Sequence, residues 1–263
     1  IKRIEELDDY VLIEAMGGEG WDDFIETCTN NSWFGLENLS FITGTVGASP
    51  VQNISAYGVE VEEYIHFVNV YDVALGKYFQ MSHSDCKFEY RHSVFKNYSN
   101  LIVTSVVFKL NKTSILNLNY KDIQERVKNG EKIESPLSLR NSIIDIRKNK
   151  LPDPNRVPNV GSFFHNPIID KKIVVKLKET YPLMPVYELD ENKVKISAGW
   201  LIDQTGLKGY EKGNVQVNSR HALILTNLKS MATRDEVLIL ADYIINKVQE
   251  KFNIILNIEP III

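Results

Sequence analysis

A chain of 263 residues, 44% hydrophobic and 24% charged, has the composition of a soluble globular protein. It is long enough for two domains, because single cores stop growing near roughly 250–300 residues. Thirty-four acidic side chains against thirty basic ones leave a net charge of −4. No bulk basic field is therefore available to hold nucleic acid, and anionic ligands must be met by local basic groups. The two cysteines, Cys28 and Cys86, offer neither a metal-ligand spacing nor a disulfide framework, which points to a reducing cytoplasm. No apolar run reaches the ~18 residues of a membrane helix and no signal peptide is visible. The chain starts on Ile1 rather than Met and ends on an apolar run, so both ends read as cut from a larger protein.

In chain order, Tyr10 to Ala15 reads as a strand and Trp21 to Thr29 as a short amphipathic helix, with Cys28 on its apolar side beside Trp21, Phe24 and Ile25. Glu62 to Ala74 alternates apolar and polar residues, a strand signal, and Gly76-Lys77 then makes a hairpin turn. Leu101 to Leu110 is a second long strand rich in β-branched residues. Asn119 to Lys128 and Leu139 to Lys148 read as helices. Three prolines between Leu151 and Pro158 forbid a regular helix and favour an extended linker. The domain boundary is placed there, giving domains over 1–151 and 152–253. Lys171 to Thr180 and Ser197 to Thr205 read as helices, the second closed by Gly206 as C′ residue. Ala222 to Thr226 is a short strand. Thr233 to Phe252 starts on a capping box from Thr233 to Glu236. Ile254 to Ile263 is expected as a strand returning to the first domain. Antiparallel hairpins with segregated helices argue for an α+β fold.

Four segments carry candidate chemistry. Gly44-Thr45-Val46-Gly47-Ala48-Ser49-Pro50-Val51-Gln52-Asn53-Ile54-Ser55-Ala56-Tyr57-Gly58 is dominated at first by small residues that let a backbone approach a ligand and cradle a pyrophosphate. On composition alone an ordinary glycine-rich turn is the simpler explanation. Tyr90-Arg91-His92-Ser93 can hold a carboxylate through the arginine fork or make a surface ion pair. Gly161-Ser162-Phe163-Phe164-His165-Asn166-Pro167 lacks a nucleophile elbow. Its Ser162 either donates a proton across a pocket or forms a turn. In Ser197-Ala198-Gly199-Trp200-Leu201-Ile202-Asp203-Gln204, Trp200 and Leu201 read as core, and the following Lys208 meets a phosphate or caps the helix. His221 reads as a core or solvated histidine.

Together, in this order and spacing, the four segments resemble the UDP-N-acetylenolpyruvoylglucosamine reductases, and the resemblance runs along essentially the whole chain. It implies the second half of a two-part FAD-binding domain of the vanillyl-alcohol-oxidase-like kind, followed by an α+β substrate-binding domain. It also implies a reaction of cell-wall peptidoglycan precursor synthesis. NADPH reduces FAD, hydride passes to C3 of the enolpyruvyl group of UDP-N-acetylglucosamine enolpyruvate, and a proton is added at C2 to give UDP-N-acetylmuramate. Carried over residue by residue, Ser162 matches the proton donor, with Lys150 a plausible neighbour for its alkoxide. Arg91 and Glu259 match the groups at the substrate carboxylate. A glutamate beside a carboxylate should have a raised pKa and act as a neutral donor. Tyr57, Tyr120, Asn166, Tyr187 and Lys208 match substrate contacts, and Tyr187 suggests the subgroup with an extra loop closing over substrate. Gly44, Thr45, Gly47, Ala48, Ser49, Ile54 and Ser55 match the flavin-lining stretch. No metal, nucleic acid or membrane partner is implied, and the protein is expected to be a cytoplasmic monomer.

Three departures are visible. The family's leading flavin subdomain is expected to end where Ile1 begins, and without it FAD would lose part of its walls. Thr43 stands where many members have proline, and Asn257-Ile258-Glu259 replaces a more acidic, proline-containing stretch. Two other readings remain at this point: a fragment that binds the UDP-sugar without redox chemistry, and another flavin oxidoreductase of the same superfamily. The trio Ser162, Arg91 and Glu259 argues against the second.

Overall fold

Period-two alternation builds the sheet of the first half of the chain. In a computed structural model that describes residues 1–262, β1 (Lys2–Glu6), β2 (Tyr10–Met16), α1 (Trp21–Asn30), the short hairpin β3 (Ser55–Ala56) and β4 (Val59–Glu60), β5 (Ile65–Asp72), β6 (Lys77–Ser82), α2 (His83–Cys86), β7 (Leu101–Asn111), α3 (Lys121–Lys128) and α4 (Pro136–Lys150) follow in order. Five of the strands form an antiparallel sheet ordered β1-β2-β7-β5-β6. Alternate residues of β2 (Val11, Ile13, Ala15) and β7 (Val106, Phe108, Leu110) face one buried layer, as strand geometry requires. Helix α1 lays Trp21, Phe24, Ile25 and Cys28 on that layer, the spacing of a single helical face. Phe24 and Phe108 pack with tilted rings, their centroids 4.9 Å apart. The Trp21 indole donates to the Leu39 carbonyl at 3.0 Å, so its one polar group is satisfied. A separate cluster of Ile123, Ile133, Leu139, Ile143 and Ile146 packs α3 and α4 around Tyr57.

The chain divides into the units Ile1–Arg147 and Lys148–Ile263. The division falls inside α4 rather than in the proline-rich stretch after it, and that stretch contains turns around Asp153 and no regular element. In the second unit, β8 (Asn159–Ser162), β9 (Ile168–Asp170), α5 (Lys171–Thr180), β10 (Val186–Glu188), β11 (Lys193–Ile196), α6 (Ala198–Gln204), β12 (Glu211–Lys212), β13 (Val215–Val217), β14 (Ile224–Asn227) and α7 (Arg234–Phe252) build two small antiparallel sheets, β10-β11-β9 and β12-β13-β14-β8. The capping box of α7 is formed by Thr233 and Glu236. Leu240, Ala241, Ile244, Val248 and Phe252 turn to the core. Both units mix helix with antiparallel sheet, the expected α+β class.

The C-terminal segment departs from expectation. Instead of a strand of the first domain, it is an irregular run packed within the second unit. Ile254 and Leu256 are buried there, the His165 amide donates to the Asn257 carbonyl at 2.9 Å, and the Glu259 amide donates to the Phe163 carbonyl at 3.0 Å. Its β-branched residues supply strand propensity, but the edge they find is the Phe163–His165 turn, and Pro260 has no amide to extend a ladder. The last residue of the expected strand, Ile263, lies outside the described residues.

Candidate functional site

In the first unit, the glycine-rich loop is pinned from beneath. The Val46 amide donates to the Glu19 carbonyl and the Gly47 amide to the Gly17 carbonyl, both at 2.9 Å. Val46 and Ser49 are buried while Thr43, Gly44, Thr45 and Ala48 stay exposed. The two glycines serve different purposes. A Cβ on Gly47 would sit 2.9 Å from the Gly17 Cα and carbonyl oxygen, so this glycine exists for backbone packing. Gly44 has φ +120°, and a Cβ there would meet no atom within 4 Å. Its open side, beside Thr45 and Ala48, is a backbone surface that a flavin nucleotide can approach closely, and the loop fits such a group. Ser49 donates its hydroxyl to the Val46 carbonyl at 2.8 Å and supports the loop from within, as does the Ile54 amide on the Ser49 carbonyl at 3.1 Å.

Behind the loop, Asn53 is fully buried with φ +45°. Its amide group donates towards Glu60 (2.9 Å), Glu62 (3.0 Å) and the Glu89 carbonyl (3.2 Å), and its oxygen accepts the Glu62 amide. Ser93 Oγ donates to the Val51 carbonyl at 2.6 Å. These bonds tie the loop to the turn at Glu89–His92, whose backbones bond reciprocally at 3.0 Å. Arg91 sits in that turn with φ +55°. Its Nη1 donates to Ser55 Oγ and its Nη2 to the Ser55 carbonyl. Ser55 thus faces the arginine.

Tyr57 and Gly58 are the turn residues of the β3–β4 hairpin, with φ +49° and +82°. A type I′ hairpin turn places both of its central residues at positive φ, but a tyrosine there is unusual, and such strain concentrates at functional positions. The Tyr57 ring meets Tyr120 edge-on at 5.0 Å. Burial pushes its hydroxyl pKa up, and the Arg147 guanidinium, hydrogen-bonded to it, pulls the other way. Arg147 Nε also donates to the Phe41 carbonyl at 2.9 Å. Nearby, Arg140 grips Asp22 with bonds of 2.6 and 3.0 Å, and Asp22 Oδ1 accepts the Phe41 amide at 2.6 Å. Burial opposes ionisation of Asp22, but the Arg140 hydrogen bond, the Phe41 amide and the charges of Arg140 and Arg147 outweigh it and hold its pKa below the ordinary value.

In the second unit, Ser162 ends β8 opposite Ile224. It is exposed, between Gly161 at φ +74° and the buried, T-shaped pair Phe163–Phe164, which anchor the turn. The Phe163–Glu259 backbone bond brings Glu259 to this turn. The Glu259 carboxylate stands 3.6 Å from His165 Nδ1. The Asn166 oxygen accepts the Ala198 amide at 2.9 Å, capping α6 with Ser197. Tyr187 is exposed opposite Lys195, whose ammonium lies 6.0 Å from its ring centroid. Lys208 pairs with Asp203 at 3.0 Å, Lys150 ends α4, and the His221 amide donates to Asn218.

The structure thus groups Arg91 with Ser55, Tyr57 with Tyr120, and Ser162 with Glu259. Sequence reasoning missed Asn53, Arg140, Arg147 and His165. Asn53 and His165 lie inside the quoted motifs, and their signal was their place there. Arg140 and Arg147 carry a weak signal, two arginines seven residues apart on one helix. Among the described residues no group of three or more potential ligands could hold a metal ion, and no helix is long and apolar enough to cross a membrane.

Comparison with known proteins gives the following matches. Residues 1–82 match the family description "FAD binding domain", and residues 153–263 match "UDP-N-acetylenolpyruvoylglucosamine reductase, C-terminal domain". The chain is 42% identical to the UDP-N-acetylenolpyruvoylglucosamine reductase of Chromobacterium violaceum, covering 100% of this chain and 78% of that protein. It is also 42% identical to the same-named protein of Neisseria meningitidis serogroup C, covering 99% and 76%. The crystal structure of the UDP-N-acetylenolpyruvylglucosamine reductase from Thermus caldophilus superposes with TM-score 0.62 at 22% identity, over 94% of this chain and 71% of that one, and speaks to the fold.

Proposed function

The chain belongs to the UDP-N-acetylenolpyruvoylglucosamine reductase family, and from that premise we infer its reaction. It is an FAD-dependent oxidoreductase that uses NADPH to reduce UDP-N-acetylglucosamine enolpyruvate to UDP-N-acetylmuramate in peptidoglycan precursor synthesis. The observation that carries this is the 42% identity extending over 100% of the chain. Bound FAD, once reduced by NADPH, would supply the hydride for C3 of the enolpyruvyl group.

The chain's own residues do the rest. Ser162 donates the proton to C2. A serine hydroxyl is a weak acid, so this step works only when negative charge develops beside it and a cation such as Lys150 steadies the alkoxide. Arg91 holds the substrate carboxylate while charge flows into it, and Glu259 supplies a proton or a neutral hydrogen bond there. What supports Arg91 is its fixed, left-handed turn. What supports Ser162 and Glu259 is the backbone bond that joins their segments. Tyr57, Tyr120, Asn166, Tyr187 and Lys208 bind the rest of the substrate. Gly44, Thr45 and Ala48 line the flavin, with Gly47, Ser49 and Ile54 holding the loop in shape. We propose that the protein works in the cytoplasm, as a monomer, on a soluble nucleotide sugar; a net charge of −4 gives it no bulk basic field for nucleic acid.

The test is an absorbance spectrum before and after FAD, then NADPH, then enolpyruvyl substrate. A flavin band that bleaches with NADPH and returns with substrate, with UDP-N-acetylmuramate formed, is expected. A band that bleaches but does not recover with this substrate overturns the assignment of the substrate.

A further inference from the structure

Ser55 stands in the stretch that the family resemblance gives to the flavin, yet its polar atoms are turned to Arg91. Arg91 Nη1 donates to Ser55 Oγ, and Nη2 donates to the Ser55 carbonyl at 3.1 Å. A guanidinium has five donor hydrogens in a rigid plane. Two of them, one on each terminal nitrogen, are therefore fixed on a single residue. That grip helps to fix the plane of the guanidinium.

The surroundings leave little slack for either partner. Arg91 is held at φ +55° by the paired backbone bonds of Glu89 and His92. Its guanidinium carbon lies 5.4 Å from the centroid of the Tyr90 ring. Ser55 begins the β3–β4 hairpin and is paired with Glu60. The two segments are joined a second and third time by Asn53 to Glu89 and by Ser93 to Val51. An arginine on an exposed turn is ordinarily a flexible cation, and ordering such a chain has an entropic cost that must be met before it can act. Here the neighbouring segment meets it in advance.

We propose that Ser55 is a positioning residue for Arg91, orienting the guanidinium towards the carboxylate of the enolpyruvyl substrate as negative charge moves into it. This rests on the role given to Arg91 above. Preorganised donors act where charge develops, so losing the orientation lowers kcat and kcat/KM together.

The experiment is made on the flavin-loaded enzyme with Ser55→Ala, Ser55→Thr, Arg91→Ala and the double variant Ser55→Ala/Arg91→Ala. It reads the NADPH half-reaction, kcat and KM for UDP-N-acetylglucosamine enolpyruvate, and the Kd of that substrate for the oxidised enzyme by calorimetry. Ser55→Ala is expected to lower kcat about tenfold, because a hydrogen bond to a charged group is among the stronger ones. Flavin reduction by NADPH should change less than about twofold, since the enolpyruvyl carboxylate takes no part in it, and substrate Kd should weaken less than kcat falls, because the carboxylate binds already charged and gains further charge only as hydride arrives. Ser55→Thr keeps the hydroxyl and should recover most of the loss. In the Arg91→Ala background, Ser55→Ala should add nothing. If Arg91→Ala leaves turnover unchanged, the carboxylate role of Arg91 falls and this proposal with it. If Arg91→Ala impairs turnover while Ser55→Ala does not, or if Ser55→Ala slows flavin reduction equally, Ser55 is not positioning Arg91 and the proposal alone is overturned.

Discussion

Replacing Asp22 by Asn removes the negative charge from a pair whose other half is almost fully buried. The Arg140 side chain is 6% exposed, whereas that of Asp22 is 30% exposed. Breaking a buried pair by removing one partner costs about 3–5 kcal/mol. Asparagine retains one acceptor for either Arg140 or the Phe41 amide, and water reaches the Asp22 side, so the lower end of that range, about 3 kcal/mol, is expected. For a protein of this size that is roughly 6–12 °C in Tm. Urea unfolding of Asp22→Asn, Arg140→Met and the double variant measures it. The double variant should lose clearly less than the sum of the singles, because each single leaves the other group stranded. The pH dependence has a fixed sign. The folded pKa of Asp22 lies below its ordinary 3.8, so the stabilisation is fully present above that value and is lost as the pH falls through the folded pKa. A loss below about 1 kcal/mol, or strictly additive singles, would refute the view that this pair is desolvated and mutually dependent.

Gly47→Ala should destabilise the first unit by about 1–3 kcal/mol, because its Cβ would press on the Gly17 backbone at 2.9 Å. It should also weaken FAD affinity, and an unchanged melt refutes the packing role. Glu37 is 5% exposed, and burial raises its carboxyl pKa. The native state then keeps this proton to higher pH than the unfolded chain, so stability falls as pH rises from the ordinary 4.5 to the folded value. Glu37→Gln should remove that fall, with a Tm advantage that grows from pH 4.5 upwards; parallel Tm curves for the two proteins count against it. Ser162→Ala should leave flavin reduction by NADPH intact and slow enolpyruvyl reduction by about 10²-fold or more. Equal loss in both half-reactions would remove Ser162 as proton donor.

The long regular elements were legible because their patterns are local. Strand β7 was readable from its β-branched residues, α1 from its amphipathic spacing and α7 from its capping box, and α1 and α7 each turn an apolar face to the core. What a sequence does not carry is the reason for a glycine. Gly44 and Gly47 look alike in the chain, yet one faces open space and the other a backbone. The bond of Ser55 to Arg91, 36 residues away, was likewise not visible in the chain. The Asp22–Arg140 pair spans 118 residues, and no periodicity reports on such a distance. The C-terminal isoleucines read as a strand because β-branched residues favour one. Where they pair depends on an edge elsewhere in the unit, which the run itself does not encode.

The bond between Phe163 and Glu259 also sets an order of events during synthesis. Chains emerge N-terminus first, at ~5–20 residues per second, and domains tend to fold as units when they are complete. The sheet of the first unit closes with β7 and can settle early. The turn that carries Ser162 cannot acquire its last backbone partner until roughly a hundred further residues have been added, ~5–20 s later. During that interval the Phe163–Phe164 anchor lacks part of its cover, and a chain that stops before residue 259 has the sheet of its first unit formed but leaves the Ser162 turn with an open edge.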